Sequence, residues 1–138
     1  MAAKDFFHEQ VKAALLREGW LITHDPYSID YEDVKMAIDL GAEQMLAAEK
    51  GQTKIAVEIK SFLSESFIYE FHSALGQFLN YQWALGKVEP DRELFLAVPD
   101  DIFEERFHYR LVQEIIEQHR VNIIVFSSST EEIVQWIS

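Results

Sequence analysis

The chain has 138 residues, 49% of them hydrophobic and none of them cysteine, and its formal net charge is −12. This length predicts one domain over residues 1–138 with one ordinary core. Disulfides and thiolate metal sites are excluded. No stretch is apolar over the roughly 18 residues that a membrane span requires. Since no basic segment precedes an apolar one at the N-terminus, we expect a cytoplasmic protein without membrane contact.

The acidic balance restricts how the chain can meet a nucleic acid. It has 24 acidic and 12 basic residues, whereas non-specific DNA affinity comes mainly from Lys and Arg on phosphates. Long-range repulsion of a polyanion is therefore expected. The acids cluster near residues 89–93 and 100–105, and such runs usually form a solvated face, although they could dock a basic partner. Any contact with nucleic acid must be local, helped by a metal, or delivered by another subunit.

Hydrophobic periodicity and turn residues predict ten elements. In chain order these are a helix over 3–18, strands over 20–23, 34–40, 44–49 and 54–60, a helix over 65–86, a strand over 94–98, a helix over 101–119, and strands over 121–126 and 133–137. Gly19 ends the first helix, and residues 50–52 turn the central hairpin. A meander followed by βαβ crossovers predicts an α/β fold with a mixed sheet flanked by helices. The last strand, around Trp136, could pair across a homodimer.

An acid and a lysine share one face of the strand at 54–60. Glu58 and Lys60 are two residues apart, so they point the same way. Asp39 ends the strand at 34–40, where the small neighbours Ala37 and Gly41 leave room beside its carboxylate. Alone, a Glu-x-Lys pair is usually a surface ion pair.

A divalent cation gives a reason for both acids to be there. Carboxylates on adjacent strands repel, and a cation relieves that repulsion. Mg²⁺ suits one or two carboxylates and uses substrate phosphate as a further ligand; Mn²⁺ is its substitute. Asp39 and Glu58 are therefore candidate metal ligands. Lys60 is a candidate catalytic lysine, which would orient the attacking water and stabilise charge on phosphorus.

Two helices add polar candidates. The predicted core stripe of the long helix is Ile68, Phe71, His72, Leu75 and Leu79. Gln77 and Tyr81 lie four residues apart on a face displaced from this stripe, and could donate hydrogen bonds to phosphate or base. The alternative is a helix surface with one aromatic residue. Glu9 lies opposite the apolar stripe of the first helix, and either supports the metal or is a surface acid. Its neighbour His8 is more typical of a helix surface than of a site.

These residues stand in a specific order along the chain. Helix acid, strand acid, Glu-x-Lys strand and Gln-x-x-x-Tyr helix resemble the PD-(D/E)XK nuclease superfamily, with Ile38 where its name-giving proline would be. The whole chain is similar to the XisH family, the fdxN-element excision controlling factors of cyanobacteria. The runs that carry this resemblance are Ala2–Asp5, His8-Glu9, Gly19-Trp20, Thr23–Pro26, Ile38–Glu43, Ala56–Phe62, Ala74–Tyr81, Leu96–Pro99 and Val134–Trp136.

The resemblance implies a fold, a set of roles and a process. The fold is a restriction-endonuclease-like three-layer α/β/α architecture with a mixed central sheet. The implied roles are metal ligands for Asp39 and Glu58, catalytic lysine for Lys60, substrate binding or site ordering for Gln77 and Tyr81, and helix acid for Glu9. The process is site-specific DNA excision during heterocyst differentiation, with a second small protein, XisI, as partner.

Three functions stay open on the sequence. The chain could be a Mg²⁺-dependent endonuclease in DNA rearrangement. It could instead be a regulatory module that keeps the nuclease fold and acts by gripping XisI or the recombinase. The third possibility is a toxin-like nuclease that its partner holds silent.

Overall fold

A computed structural model describes residues 5–45 and 52–138 of the chain. Its elements in chain order are α1 (His8–Arg17), β1 (Leu21–His24), β2 (Tyr27–Tyr31), β3 (Val34–Ile38), β4 (Leu40–Met45), β5 (Gln52–Ile59), α2 (Phe67–Val88), β6 (Arg92–Pro99), α3 (Asp100–Arg106), α4 (Arg110–His119), β7 (Ile123–Ser127) and β8 (Glu132–Ile137). The predicted mixed α/β class is confirmed. Residues 3 and 4 of the first predicted helix, and residues 46–51 of the predicted hairpin, lie outside the described residues.

Six strands form one mixed sheet in the order β1-β4-β5-β6-β7-β8, and β2 pairs with β3 in a separate ribbon. The pairings of β5 with β6 and of β6 with β7 are parallel, and the pairings of β1 with β4, β4 with β5, and β7 with β8 are antiparallel. Helix α2 makes the crossover from β5 to β6, and α3 with α4 makes the next one. Both crossovers step in one direction, so right-handed connections put these helices on one face of the sheet. The homodimer pairing at β8, an outer strand of this sheet, stays a prediction.

The core has one cluster on each face of the sheet. Ala56, Leu96 and Val125 pack with residues of α2 and α4. Ile55 and Val57, which alternate with Ala56 along β5, pack instead with α1 residues. The period-two pattern of the strand therefore separates the two faces. The result is the predicted three-layer α/β/α arrangement, with Glu58 on the α2 side of the sheet.

Several predicted elements differ from the observed ones, and β4 begins at Leu40 and not at residue 44. The predicted strand over 34–40 is two strands with a bend at Asp39, and β2 was not predicted. The ribbon of β2 and β3 turns at Glu32, whose φ is +54°, and not at the glycine or asparagine that usually marks such a turn. The predicted helix over 101–119 breaks into α3 and α4 because the fully buried Phe107 leaves the helix and packs on the rings of Phe67 and Phe71.

The buried stripe of α2 is also rotated from the predicted one. The prediction placed Ile68, His72 and Leu75 in the core, whereas Ile68 and His72 are exposed and Leu75 is half-buried. The fully buried residues of α2 are Phe71, Ala74, Phe78, Ala84 and Leu85. This rotation turns the flank of α2 that carries Gln77 and Tyr81 towards the end of β5. No helix of the described chain is long and apolar enough to cross a membrane.

Candidate functional site

Asp39 and Glu58 meet where β4 pairs with β5. Leu40 pairs with Val57 in this antiparallel ladder, so the preceding and following residues, Asp39 and Glu58, come opposite each other. The Ile59 N–H donates to Asp39 Oδ2 at 2.7 Å, and the Asp39 N–H donates to Glu58 Oε1 at 3.3 Å. Each carboxylate is thus held by a backbone amide of the other's segment. The bend at Asp39, which ends β3 and begins β4, is what turns the two acids towards each other.

Neither carboxyl group of this pair ionises easily. Burial and the neighbouring Asp39 charge raise the pKa of Glu58 to about 8, although Lys60 opposes the shift. Burial also raises the pKa of Asp39, against the hydrogen bond from Ile59, which lowers it. Lys60 Nζ lies 3.7 Å from Glu58 Oε2. When both acids are ionised, two carboxylates and one ammonium leave surplus negative charge in a site where Glu58 is 5% exposed.

Five sequence-predicted site residues line one cavity of about 120 Å³. Its walls are Asp5, Ala37, Asp39, Glu58, Ile59, Lys60, Gln77 and Tyr81. Burial, with the charges of Glu58 and Asp39, raises the pKa of Tyr81 to about 12, so its phenol keeps its proton and can donate. Gln77 Oε1 is buried without a hydrogen-bond partner among the described residues. A buried amide oxygen left this way is costly unless something binds it.

Asp5, and not Glu9, is the acid that the first helical segment brings to this cavity. Glu9 is exposed on α1 and is not among the cavity's lining residues. Asp5 accepts hydrogen bonds from the Phe7 N–H at 2.9 Å and the Ser61 N–H at 3.1 Å, so it ties the start of α1 to the segment after β5. The available signal was an acid just ahead of a helix. It was hidden because the helix was predicted to begin at residue 3.

His8 is also a core residue and not the surface histidine that the sequence favours. Its side chain is 3% exposed, and its Nε2 lies 2.8 Å from Asp25 Oδ1. Its Nδ1 has no hydrogen-bond partner in the described part of the chain. The charge of His8 is one of the influences that lower the pKa of Asp39, so the imidazole belongs to the electrostatic surroundings of the pair.

The donor set fits a hard divalent cation. Asp39 and Glu58 supply carboxylate oxygens, and Gln77 supplies the unpartnered amide oxygen, which are ligand types that Mg²⁺ and Mn²⁺ take. Within residues 5–45 and 52–138, no group of three or more His, Asp or Glu is arranged to hold a metal ion. Mg²⁺ does not require one, since it keeps several waters and binds through one or two carboxylates.

Comparison with known proteins gives a consistent answer over the whole chain. The family model for XisH protein matches residues 1–134. A crystal structure of an fdxN element excision controlling factor protein from Anabaena variabilis superposes with a TM-score of 0.86 at 47% identity, and covers 96% of this chain and 98% of that one. An XisH family protein from Nostoc punctiforme superposes with a TM-score of 0.87 at 41% identity, and covers 97% and 100%. No curated protein matches. The chain belongs to the XisH family.

Proposed function

We propose that this chain is a metal-dependent phosphodiesterase of endonuclease type that acts in programmed DNA excision. The observation that carries the proposal is the buried pair of Asp39 and Glu58, which shares a cavity with Lys60 and the unpartnered oxygen of Gln77. The order of these residues resembles the PD-(D/E)XK superfamily. The process comes from the Anabaena variabilis relative, which is described as an excision controlling factor.

The chain's own side chains would divide the work as follows. Asp39 and Glu58 would hold Mg²⁺ or Mn²⁺, which supplies Lewis-acid stabilisation of charge on phosphate oxygens when bound. Lys60, whose ammonium group reaches the cavity, would stabilise the negative charge that develops during phosphodiester cleavage. Tyr81 would donate its phenolic hydrogen bond to a phosphate oxygen and fix the strand's position.

The proposal includes a protein partner, because the chain alone is poorly charged for DNA. A net charge of −12 opposes the long-range approach of a polyanion. A XisI-like protein that carries basic residues would supply the missing phosphate contacts and bring DNA to the cavity. The exposed acids Asp101, Glu104 and Glu105 suit such a partner.

Nicking of supercoiled plasmid DNA tests the proposed activity. Wild-type protein, alone and with a XisI-like partner, should nick DNA with Mg²⁺ or Mn²⁺ and not with EDTA. Lys60→Ala should lose on the order of 10²-fold in rate, because one group that stabilises transition-state charge is typically worth that much. Lys35→Ala, an exposed lysine on β3, is the matched control and should nick at the wild-type rate. Equal nicking by wild type and Lys60→Ala would sink the mechanism.

The net charge favours a second candidate, a regulatory module that keeps this fold without cutting DNA. Such a module would act through protein contacts on its acidic face, and the Asp39–Glu58 pair would have no cation to hold. Calorimetric titration with Mg²⁺ separates the two. Binding that Asp39→Ala abolishes supports the enzyme, whereas no binding, or binding indifferent to Asp39→Ala, supports the module.

A further inference from the structure

A second cavity adjoins the first on the far side of Lys60. It has a volume of about 220 Å³, and its walls are Asp5, Lys60, Ser61, Phe62, Glu70 and Ser73. Asp5 and Lys60 line both cavities, so a strand whose phosphate lies in the first would place a neighbouring nucleoside at the second. The chain bends sharply here, because Phe62 adopts a φ of +54°, a conformation rare for a bulky residue and frequent near functional sites.

The walls of this second cavity offer mainly hydrogen-bond acceptors. Glu70 Oε1 accepts the Ser64 N–H at 3.0 Å, which leaves Oε2 for a ligand. The two oxygens of Asp5 each accept one backbone N–H, and a carboxylate oxygen can accept more than one. Ser61 and Ser73 also line the cavity, and each hydroxyl can both donate and accept a hydrogen bond.

This donor and acceptor balance selects one kind of nucleic-acid group. A second phosphate is disfavoured, because two carboxylates line the cavity and the ammonium of Lys60 already lies 3.7 Å from Glu58. The exocyclic amino group of a nucleobase is a donor that suits a carboxylate, as in the pairing of Glu or Asp with cytosine N4. We propose that this cavity binds an unpaired nucleobase bearing an amino group, beside the phosphate to be cleaved; this inference rests on the proposed function.

The requirement for an unpaired base defines the substrate class. In a duplex, one hydrogen of each exocyclic amino group is taken by its base pair and only the groove edge stays accessible, so a base must leave the stack to enter a pocket. Recognition of unpaired nucleotides relies on contacts to their base edges, whereas duplex affinity depends on many Lys and Arg contacts to phosphate. An acidic chain with a base pocket beside its carboxylates is therefore matched to single-stranded or locally opened DNA.

Fluorescence anisotropy with oligo(dC) and oligo(dT) of equal length, on the chain alone and with the XisI-like partner, tests the assignment, with Ca²⁺ in place of Mg²⁺. The wild type should bind oligo(dC) about tenfold more tightly than oligo(dT), because one charge-assisted hydrogen bond is worth roughly that factor. Glu70→Gln should bring the two affinities within about twofold, since its amide keeps an acceptor for Ser64 but places a donor in the cavity. Glu117→Gln, an exposed acid on α4, is the matched control and should keep the wild-type preference.

The outcomes separate the base pocket from the nuclease activity. No binding, equal affinity for both oligomers, or a preference that Glu70→Gln leaves intact overturns the pocket, even where plasmid nicking succeeds. A preference that Glu70→Gln removes, in a protein that nicks nothing, keeps the pocket and fails the proposed enzyme. Oligo(rC) is a third probe that distinguishes RNA from DNA as the ligand. Tighter binding of either the ribose or the deoxyribose strand supports the pocket and identifies the strand that it takes.

Discussion

The two ends of β5 each carry a group of charged side chains. At one end these charges have partners that compensate them, and at the other end they do not. At its start lies the Arg92 network, made up of Tyr27, Glu43, Lys54, Glu89 and Arg92. At its end lies the Asp39–Glu58 pair. Both groups include residues of neighbouring strands of the six-stranded sheet, and both take charge out of water. The fold stabilises the Arg92 network and tolerates the Asp39–Glu58 pair.

In the Arg92 network nearly every charge finds a partner. The guanidinium of Arg92 is buried, and it donates to Glu89 at 2.7 Å, to Glu43 at 3.2 Å and to the Ile55 carbonyl at 2.9 Å. These hydrogen bonds, above all that from Arg92, lower the pKa of Glu89 to about 2. The network therefore favours the ionised form of Glu89 and links β4, β5 and β6 at the end of the sheet where β5 begins.

The Asp39–Glu58 pair shows the reverse. Its carboxyl pKa values are raised and not lowered, and Gln77 beside it keeps a buried oxygen without a partner in the described chain. Perturbed acids in a cavity are typical of functional sites. The paired network holds the strands in place, and the imbalance at the other end marks where a ligand is expected to act.

The largest effect should come from breaking the paired end. Arg92→Ala should lower the free energy of unfolding by about 3–5 kcal/mol, because removing one partner leaves Glu89 and Glu43 uncompensated. Urea denaturation measures this change. The matched control is Arg110→Ala, whose side chain is 93% exposed in its ion pair with Glu114 and should cost about 0.5 kcal/mol or less. Equal losses of stability for the two variants would show that the buried Arg92 network stabilises the fold no more than an exposed ion pair does.

At the Asp39–Glu58 pair we expect a substitution to raise the free energy of unfolding and not to lower it. The folded-state pKa of Glu58, about 8, lies above the ordinary glutamate pKa of 4.5, so metal-free stability should fall as pH rises from about 5 to 8. Glu58→Gln should flatten this fall and raise stability at pH 8 by on the order of 1–2 kcal/mol, since one pKa unit is worth about 1.4 kcal/mol.

Thermal denaturation at several pH values, with and without Mg²⁺, checks this prediction. Added Mg²⁺ should stabilise the wild type and leave Glu58→Gln unchanged, because a ligand stabilises only the state that binds it. Glu93→Gln, an exposed acid on β6, should behave as wild type. A Glu58→Gln protein less stable than wild type at pH 8 without metal would show that the Asp39–Glu58 pair carries no uncompensated negative charge.

The smallest effect concerns one hydroxyl of the paired end. The Tyr27 hydroxyl donates to Glu89 Oε1 at 2.5 Å, while the ring lies 4.8 Å from the guanidinium carbon of Arg92. Tyr27→Phe keeps the ring and should cost about 1 kcal/mol. Tyr69→Phe, on a side chain that is 73% exposed, should cost nothing measurable in the same urea experiment. A neutral Tyr27→Phe would remove this hydroxyl from the stabilising network.

Local sequence was sufficient for some of the site and insufficient for the rest. The alternation of Ala56, Glu58 and Lys60 against apolar neighbours predicted their common face, since strand periodicity is a property of the backbone. Arg92 gave no such signal, because three of its four acceptor residues, Ala42, Glu43 and Ile55, are distant in sequence. A residue that takes its role from distant partners reads as an ordinary strand arginine.

The sequence by itself determined the α/β class and the order of Asp39, Glu58, Lys60, Gln77 and Tyr81, because these follow from periodicity and from residue types at fixed spacing. Its resemblance to XisH proteins gave the family. Only the tertiary structure decided that Asp5 lines the cavity of the carboxylates and that His8 belongs to their electrostatic surroundings. The predicted face of an amphipathic helix depends on where the helix begins and on which of several apolar flanks packs. Packing against the sheet makes that choice, and it turned α2 so that Gln77 and Tyr81 complete the cavity.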